Sequence, residues 1–316
     1  MKKLYKYYSA DFSLEKYLEN PNIRITQLGC LNDPFEGFIT ETVLNELIKK
    51  VSPMFIPDNG DSASPITDNA KKHINNQIDS LGIASFSETS RNLLMWSHYA
   101  SEHKGICIGY KTPLVKPHAS INIGPLDLKK VNYDSLLFDH EYIGLLKNKN
   151  LDTDKLIVEI GDRILTTKSE RWDYEREHRY IIPIEYCDTI KYFKANKLRP
   201  KYIGDAINKA KEENSHNVIV KDTYIDLISK RTARQAVHAI TDPESVEMIL
   251  RKSKNVMFLK NISKMNVDSI YFGAKCRKLI VNEFVDLIRG DKTLKHINLY
   301  HYKLSNERYE IEPTPL

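Results

Sequence analysis

Glu175, Glu177 and Arg179 stand two residues apart, just ahead of the apolar run Ile181-Ile182-Pro183-Ile184. In an extended strand successive side chains point to opposite faces, so this spacing puts the three on one face and Arg176 and His178 on the other. Two carboxylates beside a guanidinium can polarise a sugar, hold a metal ion, or form an ion-pair network. The surrounding stretch, Arg171 to Tyr180, holds seven ionisable side chains and three aromatics in ten residues. That is more charge than a structural strand needs.

Three other segments carry side chains of chemical interest. Met95-Trp96-Ser97-His98-Tyr99 runs on to Glu102-His103-Lys104-Gly105. On a helix, Trp96, Tyr99 and His103 fall on one side, and His98 pairs with Glu102 at i, i+4. Such a face can stack a nucleobase or nicotinamide ring; core aromatics with satisfied polar ends are the simpler reading. His98 and His103 lack an acidic third ligand and are poor metal candidates. Ser85-Phe86-Ser87 ends a strand, where hydroxyls can hold a ribose or phosphate or cap the next helix. Asn32-Asp33-Pro34-Phe35-Glu36-Gly37 has turn chemistry, which is the simpler reading of Asp33 and Glu36 than a site.

Several classes are excluded. No GxSxG, GxxxxGK[ST] or GxGxxG occurs, so serine-hydrolase, P-loop and Rossmann readings fail. The four cysteines are far apart, with neither zinc spacing nor a disulfide framework, which points to reduced thiols and a cytoplasmic protein. The N-terminus lacks the apolar core of a signal peptide, and no run is long enough to span a membrane. The net charge of +5 is uneven: residues 191–260 hold 15 Lys/Arg against 8 Asp/Glu. Such a block suits nucleic acid or another acidic partner, and equally a solvated lysine-rich surface.

These residues need elements to position them. Strands are expected at 4–9, 23–27, 82–87, 105–110, 126–133, 171–180 and 267–273, with a closing hairpin about Ser305-Asn306. Helices are expected at 13–19, 40–51, 67–81, 92–101, 151–168 and 279–289. Without regular βαβ alternation, the fold class is α+β: a mixed, largely antiparallel central sheet with peripheral helices. Residues 1–194 and 256–316 form one domain. Residues 195–255 read as a helical, basic insertion.

Taken in order, Leu4-Tyr5-Lys6-Tyr7, Leu31-Asn32-Asp33-Pro34-Phe35-Glu36, Trp96-Ser97-His98-Tyr99-Ala100, His103 to Tyr110, Trp172-x-x-Glu175-x-Glu177-x-Arg179 and Ile270-Tyr271-Phe272-Gly273 resemble the DUF2971 family. The resemblance covers nearly the whole chain outside 195–255. It implies a bacterial cytoplasmic protein tied to mobile elements or antiphage defence, with a partner protein from a defence operon. The sequence is compatible with an oligomer.

A more distant resemblance is to ADP-ribosyltransferases, which use a polar first-strand residue, a Ser-Thr-Ser-like strand and a Glu-x-Glu. Here those positions fall on Lys6 or Tyr7, Ser85-Phe86-Ser87 and Glu175-Arg176-Glu177. The resemblance implies NAD, with Glu177, Glu175 and Tyr99 in catalysis. It implies Lys6, Tyr7, Ser85, Ser87, Trp96, His98, His103 and Arg179 around the nucleotide. The chain departs from that pattern: there is no first-strand Arg or His, and Phe86 replaces the middle Thr. Two alternatives stand beside it. One is a metal-dependent nuclease using Asp33, Glu36, Glu175 and Glu177. The other is a non-enzymatic sensor or interaction module in which the charged strand is structural.

Overall fold

The computed structural model describes residues 3–55, 63–115, 128–138, 140–147, 153–194, 200–232, 235, 242 and 244–316. Its frame is a large, mostly antiparallel sheet. The strands are β1 (Lys3–Tyr8), β2 (Asn22–Gln27), β3 (Leu81–Ser87), β4 (Ile106–Lys111), β5 (Leu128–Lys130), β8 (Glu177–Pro183), β9 (Thr189–Phe193), β10 (His216–Val220), β11 (Tyr224–Ser229), β12 (Val256–Asn261), β13 (Val267–Phe272), β14 (Asn298–Leu304) and β15 (Ile311–Pro315). They run β10-β11-β9-β12-β2-β3-β1-β4-β13-β14-β15, while β8 joins β3 to β5. The parallel pair β6 (Asn132–Asp134) and β7 (Thr167–Ser169) lies apart. The mixed α+β class is as expected.

Strand alternation explains the core. On β1, Leu4 enters the main apolar cluster with Ile23 and Ile25 of β2, Ile108 of β4 and Ile270 of β13. Helices α1 (Leu14–Glu19), α7 (Lys201–Glu212) and α9 (Lys278–Gly290) cover this cluster with Leu14, Ile203 and Ile288 among others. Tyr7, one residue out of phase with Lys6 and on the opposite face from Leu4, joins Trp96, Tyr271 and Tyr302 in an aromatic cluster. A third cluster binds α2 (Glu41–Val51), α3 (Ala63–Asp79), α5 (His140–Lys147) and α6 (Thr153–Thr166). Thr40 caps α2 by accepting from Val43 N, and Val43, Leu47 and Val51 form the buried stripe of that helix.

The sheet divides at β3, and this division positions the site. Along one edge β3 pairs fully with β8, from Leu81↔Pro183 to Ser87↔Glu177. Along the other edge β2 pairs only at Ile83 and Gly82, and β1 only at Ser87. Between them the backbone of Ala84–Phe86 has no strand neighbour on that side among the described residues. Such carbonyls need another partner. Lys6 Nζ supplies one, donating to the Ser85 carbonyl at 2.9 Å.

The 195–255 segment differs from its helical expectation. It holds α7 and α8 (Val246–Leu250), but also the β10–β11 hairpin, which extends the main sheet through β9. The alternating Val, Ile and Tyr of these strands outweigh the flanking lysines. Part of the segment's positive charge is paired within it, Lys209 with Glu213 and Arg231 with Glu247, and the flanking Lys191 and Lys260 pair with Asp226 and Asp188.

Candidate functional site

A cavity of about 140 Å³ opens at the division of the sheet. Tyr5, Lys6 and Tyr7 enter it from β1 and Ser85, Phe86 and Ser87 from β3. Glu175, Glu177, Lys168, Glu36, Asn32 and Tyr99 form its polar side.

The Glu-x-Glu arrives by a different backbone from the one expected. Residues Glu170–Glu175 form a 3-10 helix, capped by Ser169 Oγ accepting from Arg171 N, and β8 starts only at Glu177. Arg176 joins them in the left-handed region at φ 44°, uncommon for a residue with a Cβ. Its amide bonds to the Asp173 carbonyl, and its own carbonyl accepts from Glu88 N. Ser87 Oγ donates to the Glu175 carbonyl at 2.7 Å. The expected strand across 172–176 is therefore a helical turn and a left-handed corner, and this corner aims both carboxylates into one space.

Three carboxylates and two cations interlock at the polar side of the cavity. Arg179 donates to Glu177 from Nε at 2.8 Å and from Nη2 at 2.9 Å, to Glu36 from Nη2 at 2.7 Å, and to the Leu165 carbonyl from Nη1 at 2.9 Å. Lys168 Nζ lies 2.7 Å from Glu175, 3.0 Å from Glu36 and 3.6 Å from Glu177, and sits over the Trp172 ring. Tyr99 donates to Glu175 Oε1 at 2.6 Å and accepts from Asn32 Nδ2 at 2.7 Å. The Glu177 amide donates to Tyr133 Oη at 2.7 Å.

Burial and pairing compete at each group. Burial alone would raise the Glu177 carboxyl; Arg179, Lys168 and a hydrogen bond from Ser85 outweigh it and hold the carboxyl below its ordinary value. Glu36 goes the other way: burial raises it, and Arg179 and Lys168 do not fully offset that. The two environments push the carboxyls apart, so Glu36 keeps its proton to higher pH than Glu177. Burial lowers Lys168, but Glu177, Glu36 and Glu175 outweigh it and raise the group. Burial, then the bond to Glu175, raises the Tyr99 phenol. Lys6 makes no ion pair within 4 Å among the described residues, and burial lowers its ammonium to about 8.

Of the residues singled out from sequence, Glu175, Glu177, Tyr99, Lys6, Tyr7, Ser85 and Ser87 line the cavity together. Arg179 stands directly behind it, 1% exposed, as the partner of Glu177. Trp96 lies elsewhere: it is fully buried in the aromatic cluster, with Nε1 donating to the Ser90 carbonyl. α4 (Leu93–Tyr99) stops at Tyr99, and Ser101, Glu102 and His103 then take positive φ. This turn lays His103 against Trp96 rather than extending a helical face. His98 is exposed beside the Tyr99 and Tyr174 rings, outside the cavity lining.

Lys168, Asn32 and Tyr133 were missed. Lys168 was expected to end the helix over 151–168. The helix stops at Thr166, and β7 presents Lys168 instead. Among the described residues no three His, Cys, Asp or Glu side chains are grouped to hold a metal ion. The point between Glu36 and Glu175 is held by Lys168 Nζ.

Residues 95–180 match the family model "Protein of unknown function (DUF2971)". That stretch starts within α4 and takes in Tyr99, Lys168, Glu175, Glu177 and Arg179. The DUF2971 resemblance seen in the sequence is thus supported. No curated protein and no solved structure matches the chain. No helix among the described residues is long and apolar enough to cross a membrane.

Proposed function

We propose that this chain is a cytoplasmic effector of bacterial antiphage defence, or a toxin-like effector, that cleaves NAD or transfers its ADP-ribosyl group to nucleic acid or protein. The convergence of Glu175 and Glu177 with Tyr99, Ser85, Ser87 and Lys6 on one aromatic-walled cavity carries this reading. The defence setting rests on the family resemblance.

The residues suit an N-glycosidic bond at ribose. Breaking it develops positive charge on the sugar, which a fixed anion stabilises. Glu177, held ionised by Arg179, supplies that anion. Glu175, shared between Tyr99 and Lys168, hydrogen-bonds the ribose hydroxyls or orients the acceptor. Tyr5, Tyr7 and Phe86 offer aromatic walls to the nicotinamide ring. The cavity is the size of one ring and part of a ribose, so the rest of the dinucleotide extends beyond it. Nucleic acid along the basic 191–260 segment, or a protein partner, is the acceptor.

The test is nicotinamide release from NAD, measured by chromatography with and without nucleic-acid and protein acceptors. Release by the wild-type chain supports the reading; no release with any acceptor overturns it. The structural-module reading keeps one specific support, since Glu36, Glu175 and Glu177 each already have a cationic partner. The metal-nuclease reading has less support, because Lys168 fills the place between its carboxylates.

A further inference from the structure

Lys6 lines the cavity, yet neither the ion-pair network nor the proposed cleavage uses its amine. Lys168 and Arg179 share the three carboxylates between them. Lys6 Nζ instead donates to the Ser85 carbonyl at 2.9 Å and has no carboxylate within 4 Å among the described residues. The Phe86 ring centroid lies 5.4 Å from it. A carbonyl accepts from a neutral amine as well as from an ammonium, so this contact survives loss of the proton. Arg24 of β2 is half-buried, also lacks an ion pair among the described residues, and adds a second positive charge nearby.

A lysine becomes a nucleophile when desolvation or a neighbouring cation removes its proton at ordinary pH. Both act here. Burial lowers the ammonium to about 8; Glu177 opposes that shift and Arg24 adds to it. Lys6 is half-buried rather than sealed in the core. A neutral amine in a cavity condenses with a carbonyl carbon. The lining selects the kind of carbonyl compound. Ser85, Ser87, Tyr99, Glu175 and Glu177 offer hydrogen-bond partners for hydroxyl groups, and about 140 Å³ holds a molecule of a few carbons.

We propose that Lys6 is a covalent nucleophile that captures a small hydroxy-aldehyde, such as an aldose in its open form, as an imine inside this cavity. The Nζ lone pair bonds to the carbonyl carbon while the C=O π pair moves to oxygen. That oxygen takes one proton from the nitrogen and one from solvent, and leaves as water. The product is a protonated imine, whose positive charge Glu177 favours as it favours the ammonium. No oxidant or reductant is consumed. The inference does not rest on NAD cleavage: a chain that releases no nicotinamide would still form the imine.

The test incubates the full chain at pH 7 with glycolaldehyde and sodium cyanoborohydride, which delivers hydride to the imine carbon and fixes the adduct. Propionaldehyde, of similar size without the hydroxyl, runs in parallel. Peptide mass spectrometry reads labelling of Lys6 relative to the median of the other lysines in the same sample, which cancels the aldehyde's own reactivity. At pH 7 about a tenth of Lys6 is neutral, against under a thousandth of an ordinary lysine. Lys6 should therefore exceed the median at least about tenfold with glycolaldehyde. Its excess should be about fivefold smaller with propionaldehyde, the worth of one hydrogen bond. Labelling of Lys6 should saturate with glycolaldehyde, and its excess should vanish in urea. Lys6→Met should remove the saturating component and leave the other lysines unchanged. Lys6 labelled no more than the median, labelling that rises linearly over the whole soluble range, or an equal excess with the two aldehydes would overturn the proposal.

Discussion

Arg179 and Glu177, two residues apart on one face of β8, are joined by two side-by-side hydrogen bonds of 2.8 and 2.9 Å, with both side chains buried. Removing one partner of such a pair leaves a charge out of water with too few acceptors. Glu177→Gln should therefore destabilise the fold by about 3 kcal/mol. The cost sits at the low end of the range for a broken buried pair because Glu36 still engages Arg179. Denaturant unfolding checks this, and a change below about 0.5 kcal/mol, the level of an ordinary surface substitution, would contradict it.

Among the described lysines, Lys6 should react first as pH rises. Its ammonium titrates at about 8, so near that pH about half is neutral, against under a hundredth of an ordinary lysine. Mass spectrometry after brief acylation across pH should place the Lys6 midpoint near 8. The linkage has a sign. The folded state gives up this proton before the unfolded chain does, so the group's cost to stability is full below about pH 8 and fades as pH rises toward 10.5. Lys6→Met should remove that rise.

Glu185, 1% exposed, has neither carboxylate oxygen in a hydrogen bond of good geometry among the described residues. Burial, seconded by Glu247, pushes its carboxyl up to about 8. The folded chain then holds a proton that the unfolded chain has lost. Its favourable contribution is full below about pH 4.5 and is lost progressively as pH rises through 8. Glu185→Gln should flatten this decline and raise the melting temperature at pH 8–9 relative to wild type. Parallel pH profiles of the two proteins would contradict it.

Local patterns were legible wherever local physics decides. The β1 strand, the helix over 40–51 and the terminal hairpin all appear as expected, with β15 set a few residues later than expected. The Glu175, Glu177 and Arg179 convergence was legible too, though through the wrong backbone. Nothing in the sequence marks Arg176 for a left-handed corner, because glycine is the usual signal. The pairing of Lys168 with Glu36 was hidden for a different reason. It is a long-range contact, and a lysine at a helix end looks like a solvated one. Trp96 misled because a helical i, i+3 pattern fits a core aromatic and a ring-stacking face equally well. The β10–β11 hairpin carried its signal, alternating Val, Ile and Tyr around Lys221-Asp222-Thr223, but the lysine-rich surroundings obscured it.

The central claim is that Glu175 acts on a ribose rather than only completing an ion pair. The most direct measurement takes one preparation of Glu175→Gln and records both nicotinamide release from NAD and unfolding free energy. Glutamine keeps one acceptor oxygen, enough for either Tyr99 or Lys168, and loses the charge. Release should fall at least about a hundredfold below wild type, on the scale of one lost transition-state hydrogen bond, with stability lowered by less than about 2 kcal/mol. Release unchanged from wild type, or a fold lost together with the activity, would contradict it.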